Sequence, residues 1–177
     1  MITFQKIRWK NFLSTGDHWS EIDFQGNTTN LVVGTNGSGK STMLDALTFS
    51  LFNKPFRKVN KSQLINATNE KDCVVEVEFN VNNKNYLVRR SIKPNKFDIE
   101  VDGNLMHKES DDRINQKILE ENILKVNYKS FTQIVILGSS SFVPFMQLST
   151  SNRRDVIEDL LDIRIFSAMN TLIKEKI

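Results

Sequence analysis

Cysteine is almost missing from this sequence, proline is scarce, and hydrophobic runs are short. The one cysteine, Cys73, can close no internal disulfide. A disulfide-framed secreted module is therefore excluded, and a reducing cytoplasm is the expected compartment. No run of about 18 apolar residues occurs, so no membrane-spanning helix is expected. The opening MITFQKIRWKN lacks the charged-then-apolar order of a secretory signal. Three prolines and seven glycines serve 177 residues, with no low-complexity linker or internal repeat. His18 and His107 stand alone, without cysteine or carboxylate at ligand spacing, which argues against a zinc-type centre. A net charge of +3 is too small to demonstrate a nucleic-acid partner.

What is present describes a globular domain with a real core: 39% hydrophobic and 25% charged residues. Basic side chains gather at Lys54, Arg57, Lys58 and Lys61, and again between 84 and 96, whereas 98–121 is acidic. Two readings of these runs stand, a solvated face or a set of phosphate contacts.

Hydrophobic periodicity divides the chain. Ile2, Phe4, Ile7 and Trp9 alternate with polar residues and predict an edge strand, followed by a turn over 11–17 and a second strand around Ile22 and Phe24. Asn30-Leu31-Val32-Val33 is a short apolar run suited to a buried central strand. The segment 41–53 is apolar on most faces, the mark of a buried helix. From 73 to 102 the period becomes two, with turns at Asn82-Asn83 and Asp102-Gly103. This predicts an antiparallel meander with one wet face, on which Glu76 and Glu78 lie, and Cys73 as a small core residue. A helix is expected over 110–125 and an apolar strand over 134–137, ended by Gly138-Ser139-Ser140-Ser141. Residues 149–177 read as one long helix. Ser149, Thr150, Ser151 and Asn152 offer its N-cap, and Val156, Leu160, Ile163, Phe166, Met169, Ile173 and Ile177 share one broad face.

Between the apolar run and the buried helix stands Gly34-Thr35-Asn36-Gly37-Ser38-Gly39-Lys40-Ser41, followed by Thr42. Glycines at 34, 37 and 39 allow backbone conformations in which successive N–H groups converge on phosphate oxygens. Lys40 adds a mobile positive charge, the Ser41 hydroxyl is a hard ligand for Mg2+, and the next helix aims its positive end at the same place. Residues 34–42 are accordingly the candidate ATP-binding residues, Ser41 the candidate metal ligand, and ATP with Mg2+ the expected cofactors. The companion chemistry is missing. No apolar run ends in Asp-Glu, and Glu158-Asp159 sits on a helix surface where nearby arginines pair with it. The catalytic carboxylates are expected outside this chain.

The stretch IRWKNFLS (7–14), the loop GTNGSGKSTMLDAL and the strand-rich part ending YLVRR together resemble the SMC-like and ABC-type ATPases. Motif order is that of the SbcC and Rad-fifty family of recombination-repair ATPases. FNKPFRKVNKSQLINATN, SFTQIVILG and VPFMQLSTSNRRDVIEDLL are similar to its phage-type members, the large subunits of T-even recombination endonucleases. The resemblance implies an α/β fold: a P-loop ABC-type head lobe over 1–148, with a mixed sheet and a meander over 73–102, and a helix over 149–177 that begins a coiled coil. It also implies that the chain is the N-terminal half of a longer head. Partners would be the C-terminal half, a second head, a nuclease subunit and DNA, in the cytoplasm of a phage-infected bacterium and with no membrane. Two departures stand out. Leu13 occupies the place where the family commonly has a nucleotide-reaching arginine. The position of the Q-loop glutamine falls near Gly138-Ser139, with Gln133 too early, Gln147 too late, and Ser139 or Ser140 the candidates to hold a water there. Rival readings are a RecF-like or RecN-like DNA-binding ATPase and a small stand-alone P-loop nucleotide kinase.

Overall fold

The structure, a computed structural model, describes residues 2–27, 29–106, 111–136, 143, 145–161 and 163–174. The sequence-based readings at His107, Leu137, Gly138–Ser141 and Ile177 lie outside them. Two compact units are formed, Met1–Gln116 and Lys117–Ile177.

The first unit is a twisted sheet carrying one buried helix. Its strands are β1 (Ile2–Lys10), β2 (Ser20–Asp23), β3 (Cys73–Val81), β4 (Lys84–Ile92), β5 (Lys96–Val101) and β6 (Asn104–Leu105), and its helix is α1 (Thr42–Phe52). Spatial order is β2-β1-β3-β4-β5-β6, antiparallel at every described pairing. The mixed sheet implied by the resemblance is thus represented here by its antiparallel part. The two-residue turns form as the sequence predicts. Asn82 and Asn83 take φ of 50° and 63°, and Asp102 and Gly103 take 49° and 80°, the left-handed values such hairpins require.

Register is fixed by two neighbouring cross-strand rows. On one face Ile22, Ile7, Val77, Val88 and Ile99 stand opposite one another in turn. One residue along, on the other face, runs Glu21, Arg8, Glu76, Arg89 and Asp98, alternating in sign. A slip of one residue would exchange the rows between faces. Here the structure corrects a sequence-based reading. Glu76 does not face solvent: it is buried, accepting 2.5 Å hydrogen bonds from Arg8 Nε and Arg89 Nε. The long guanidinium stems cover the carboxylate from both sides, which an alternating pattern cannot reveal. This contact, first among its causes, holds the Arg89 guanidinium above its ordinary pKa.

Helix α1 lies against β3, β4 and β1 and is buried from Ala46 to Phe52. Three of its last carbonyls are answered. Asn53, in the left-handed conformation, donates its N–H to Phe49 O, Arg90 Nε donates to Ser50 O, and Gln116 Nε2 donates to Leu51 O. Arg90 sits 3.7 Å over the Phe97 ring, its charge at the negative end of the helix.

Three further expectations change. β1 is no edge strand, because the short β2 pairs along its outer side. Leu31 and Val33 are 87% and 81% exposed and form no strand, since no described strand runs beside them. An apolar run specifies burial without supplying the cover. Of the expected strand over 134–137, Ile134 is the end of helix α3, introduced next, and Val135 and Ile136 form no strand.

Helix α2 (Asp112–Ile118), which begins in the first unit, passes into a wider turn over Leu119–Leu124, and the second unit continues with α3 (Tyr128–Ile134), α4 (Thr150–Leu160) and α5 (Arg164–Lys174). α3 starts where Asn127 Oδ1 accepts the Ser130 N–H at 2.9 Å, a cap that a short apolar run conceals. Ser149 caps α4, accepting from Asn152 N. The long helix expected over 149–177 is two helices. The Leu161 N–H reaches Ile157 O and the Ile163 N–H reaches Glu158 O, closing α4 without glycine or proline. The apolar period runs through the break and so hid it. Val156 is buried, whereas Leu160, Phe166, Met169 and Ile173 are exposed. Glu158 takes the expected arginine, Arg154 at 3.6 Å, but Asp159 accepts the backbone N–H of Asn127 at the start of α3.

The charged row makes a prediction. Glu76→Ala should lower unfolding free energy by roughly 2–4 kcal/mol, somewhat below a fully buried pair because both guanidinium groups are partly solvated. Glu78→Ala, two residues along, should stay within about 0.5 kcal/mol of the parent. Urea unfolding at constant m-value compares them; equal losses would mean the row does not set the register.

Candidate functional site

At the N-terminal end of α1 the loop 34–41 takes the shape its glycines permit. Gly37 and Gly39 have φ of +85° and +91°. A Cβ at Gly34 would come within 2.5 Å of Ser38 Oγ. The Ser38 N–H donates to Thr35 O and the Thr42 N–H to Gly39 O. Lys40 folds over the loop, its Nζ donating to Gly34 O at 2.7 Å and to Thr35 O at 2.8 Å. Ser41 occupies the N-cap position with helical φ and ψ and makes no side-chain cap, so its hydroxyl is not consumed by the helix. Thr42 is buried beneath it.

These residues open onto a cleft of about 590 Å³. Asn36, Gly37, Gly39, Lys40, Ser41 and Thr42 supply one part of its lining. The rest comes from two segments: Leu13-Ser14, where the resemblance places a nucleotide-reaching residue, and the stretch from Arg57 to Ala67, which sequence reasoning left out of the site and which contributes Arg57, Gln63, Ile65 and Ala67. Among the described residues no carboxylate lines it.

A buried amide joins these two segments. Asn66 Nδ2 donates to Leu13 O at 3.2 Å and to Thr15 O at 3.1 Å, and Asn66 Oδ1 accepts the N–H groups of Thr68 and Asn69. Asn69 in turn donates to Asn11 Oδ1 at 2.6 Å, and the Leu13 N–H donates to Leu64 O at 2.6 Å. Leu13 is thereby held at φ 55°, where a side chain other than glycine rarely sits. One signal was available in the sequence: asparagines at 11, 66 and 69 flank turns, where amides bond to nearby backbone.

The basic group at 54–61 is not one solvated face. Arg57 turns back to Asp45 on α1, and Lys61 Nζ donates to Asn95 Oδ1 at 3.2 Å. Burial, then the charge of Arg90, lowers the Lys61 pKa. Cys73 is a core residue and no nucleophile: burial pushes its thiol up to about 12.

A family model described as an AAA domain matches residues 6–176. The chain belongs to that family. It is 41% identical over 172 residues to exonuclease subunit 2 of Escherichia phage RB69, across 97% of this chain and 30% of that protein. It is 27% identical over 179 residues to the DNA double-strand break repair Rad50 ATPase of Thermoplasma volcanium, across 98% of this chain and 19% of that one. The chain therefore spans less than a third of the length of these relatives. Among solved structures it is similar to the Smc head domain with an extended coiled coil from Pyrococcus furiosus, solved bound to the C-terminal domain of ScpA. The TM-score is 0.66 at 24% identity, over 99% of this chain and 46% of that one. The fold is accordingly that of an ATPase head lobe, and membership of the AAA-domain family carries nucleotide binding with it. No helix among the described residues of this AAA domain is long and apolar enough to cross a membrane.

The amide staple can be tested in this AAA domain. Asn66→Ala strands two carbonyls and two N–H groups and should cost about 2–4 kcal/mol. Asn66→Asp keeps the acceptor half but turns a carboxylate oxygen onto the Leu13 and Thr15 carbonyls, and should cost at least as much. Thermal unfolding of both variants measures the difference, and a neutral Asn66→Ala would show that water replaces the amide.

Proposed function

We propose that this chain is the nucleotide-binding lobe of an ATPase head that serves a nuclease at DNA breaks, with ATP and Mg2+ as its ligands. One observation carries the binding half of this reading. A glycine-shaped loop, Lys40 and the uncommitted Ser41 hydroxyl meet at the positive end of a buried helix, in a cleft without carboxylates. The fit is to polyphosphate: converging N–H groups and an ammonium meet its oxygens, and Ser41 offers one hard oxygen to the magnesium ion. Residues 34–42 are the proposed binding residues. The nuclease half is supported by likeness to proteins described as an exonuclease subunit and a break-repair ATPase.

The cleft supplies binding groups but no carboxylate to hold the metal's far side or to orient a water. Those groups would come from a further part of the head. Leu31, Val32 and Val33, exposed beside the loop, support such a neighbour, because an apolar strand-former of this kind is ordinarily covered. Ile165, Phe166, Met169, Leu172 and Ile173 leave one face of α5 similarly bare, which suits a second helix of a coiled coil or the nuclease subunit. A second head and DNA complete the proposed partners, with a phage-infected bacterium as the setting.

Lys40→Ala should abolish measurable ATP binding in a calorimetric titration while leaving the unfolding curve unchanged, since its partners are exposed loop carbonyls. Ser41→Ala should retain metal-free binding and lose the gain in affinity on adding Mg2+. The chain alone should turn ATP over negligibly. Steady hydrolysis that disappears in Lys40→Ala would place a catalytic carboxylate within these 177 residues and overturn the division of labour proposed here.

A further inference from the structure

We propose that a second cleft, which shares a wall with the first, docks a partner-protein loop carrying one cationic and one carboxylate side chain. Its volume is about 400 Å³, and Ser62, Glu70 and Lys93 line it together with Gln63, Ile65 and Ala67. The last three line the nucleotide cleft as well. Burial explains the sharing. Leu64 is fully buried, and Asn66 is 9% exposed with its amide taken up by the staple. These two anchor the segment from inside, and the residues flanking them are left to form a wall with a cleft on either side.

The second cleft holds opposite charges that do not answer each other. Glu70 and Lys93 are both exposed, and among the described residues neither has a partner of opposite charge, although they line one cleft. Their backbones keep them in place. Glu70 sits at φ 52° with its N–H donating to Asn66 O at 2.9 Å, and Lys93 sits at φ 52° with its carbonyl accepting the Asp72 N–H at 2.9 Å. A phosphate brought to Lys93 would meet the carboxylate of Glu70, and a lone cation brought to Glu70 would meet the ammonium of Lys93. Nucleic acid and polyphosphate are therefore poor occupants, and a bipolar one fits. A protein loop carries its two charges on separate stems, which suits two rim groups that do not reach each other; a free amino acid carries both on one carbon. Ile65 and Ala67 offer apolar surface to such stems. Gln63 spends its Oε1 on the Asn60 N–H at 2.8 Å, and its Nε2 is a donor available to one cleft at a time. Occupants of the two clefts should therefore weaken each other, a coupling that rests on the nucleotide-binding reading above.

The test is an amide-resolved NMR titration of the whole chain with blocked tetrapeptides and with free arginine. The peptides carry at their ends an arginine and an aspartate, two arginines, or two aspartates. The arginine–aspartate peptide should shift amides at 62–70 and 93 and bind about five-fold more tightly than either like-charged peptide. Lys93→Glu should turn the preference to the two-arginine peptide, and Glu70→Lys to the two-aspartate peptide. Both positions are exposed, so neither exchange should move the melting temperature. Saturating inorganic tripolyphosphate should weaken the bipolar peptide about two-fold or more, and Gln63→Ala should remove that effect. Shifts scattered over the surface, or a preference unchanged in both charge variants, overturn the docking site. Free arginine binding as tightly as the bipolar peptide overturns the protein partner in favour of a small zwitterion. Localised peptide binding that ignores bound tripolyphosphate overturns the coupling. A parent chain that does not bind tripolyphosphate overturns the nucleotide-binding reading instead, and the two charge exchanges still decide the docking site.

Discussion

Glu76, shared between Arg8 and Arg89, is the contact on which the sheet depends. A buried carboxylate tolerates only arrangements that bring both guanidinium groups to it, because an unpartnered charge in that position is costly. The apolar row one residue away is less discriminating by itself. Isoleucine and valine pack comparably after many small shifts, whereas a charge does not. The hydrophobic row thus supplies most of the driving force, and the charged row narrows the choice of register to one. With the register set, Arg90 falls on the apolar face, opposite Val75 and Phe97.

That placement connects the sheet to the helix. Arg90 is the only one of the three meander arginines, Arg89, Arg90 and the cross-strand Arg8, that points toward α1, where it donates to Ser50 O. A helix buried on nearly every side has to satisfy its last carbonyls without water. Asn53, Arg90 and Gln116 do so here. With its C-terminal end anchored in this way, α1 holds its other end still. The first turn of α1 and the glycine loop before it are then presented to the cleft by a rigid element, which is what convergence on a phosphate requires. Binding geometry at Lys40 and Ser41 is in this sense inherited from strand pairing some forty residues later in sequence.

The sequence disclosed those features that follow from local rules. Period two marked the meander, the paired asparagines and Asp102-Gly103 marked the hairpins, and the spacing of Gly34, Gly37, Gly39 and Lys40 marked the loop. It misled wherever the outcome depended on what lay opposite. Glu76 has the alternation of a solvent-facing residue, and only the cross-strand position of Arg8 and Arg89 buries it. Leu31-Val32-Val33 carries the composition of a central strand and lacks the neighbours. The break at 161–163 leaves no mark, since Leu160, Ile163 and Phe166 keep the spacing of one continuous face. Part of the cleft was hidden for the same reason: Arg57, Gln63 and Ile65 meet the loop through a long-range amide staple and one buried ion pair. Asp45, the one charged residue of a buried helix, was the visible sign that a cation had to come from elsewhere.

The composition of the cleft bears on how such a head would work. Lys40, Arg57 and the loop N–H groups all attract anionic oxygen, and nothing in the lining repels it. On the proposed reading such a site grips a polyphosphate through its loop N–H groups and Lys40, while the described lining offers no carboxylate to orient an attacking water. Binding and turnover are then separable in space. On the proposed reading the lobe holds nucleotide while hydrolysis waits for carboxylates brought by another surface. The apolar segment next to the loop gives that arrival a physical cause. Covering Leu31, Val32 and Val33 removes apolar area from water, and a strand laid there would lead its own polar end past the loop that grips the phosphates. The same contact would stabilise the partner's approach and carry the missing acid to the metal, so that assembly itself becomes the step that licenses hydrolysis.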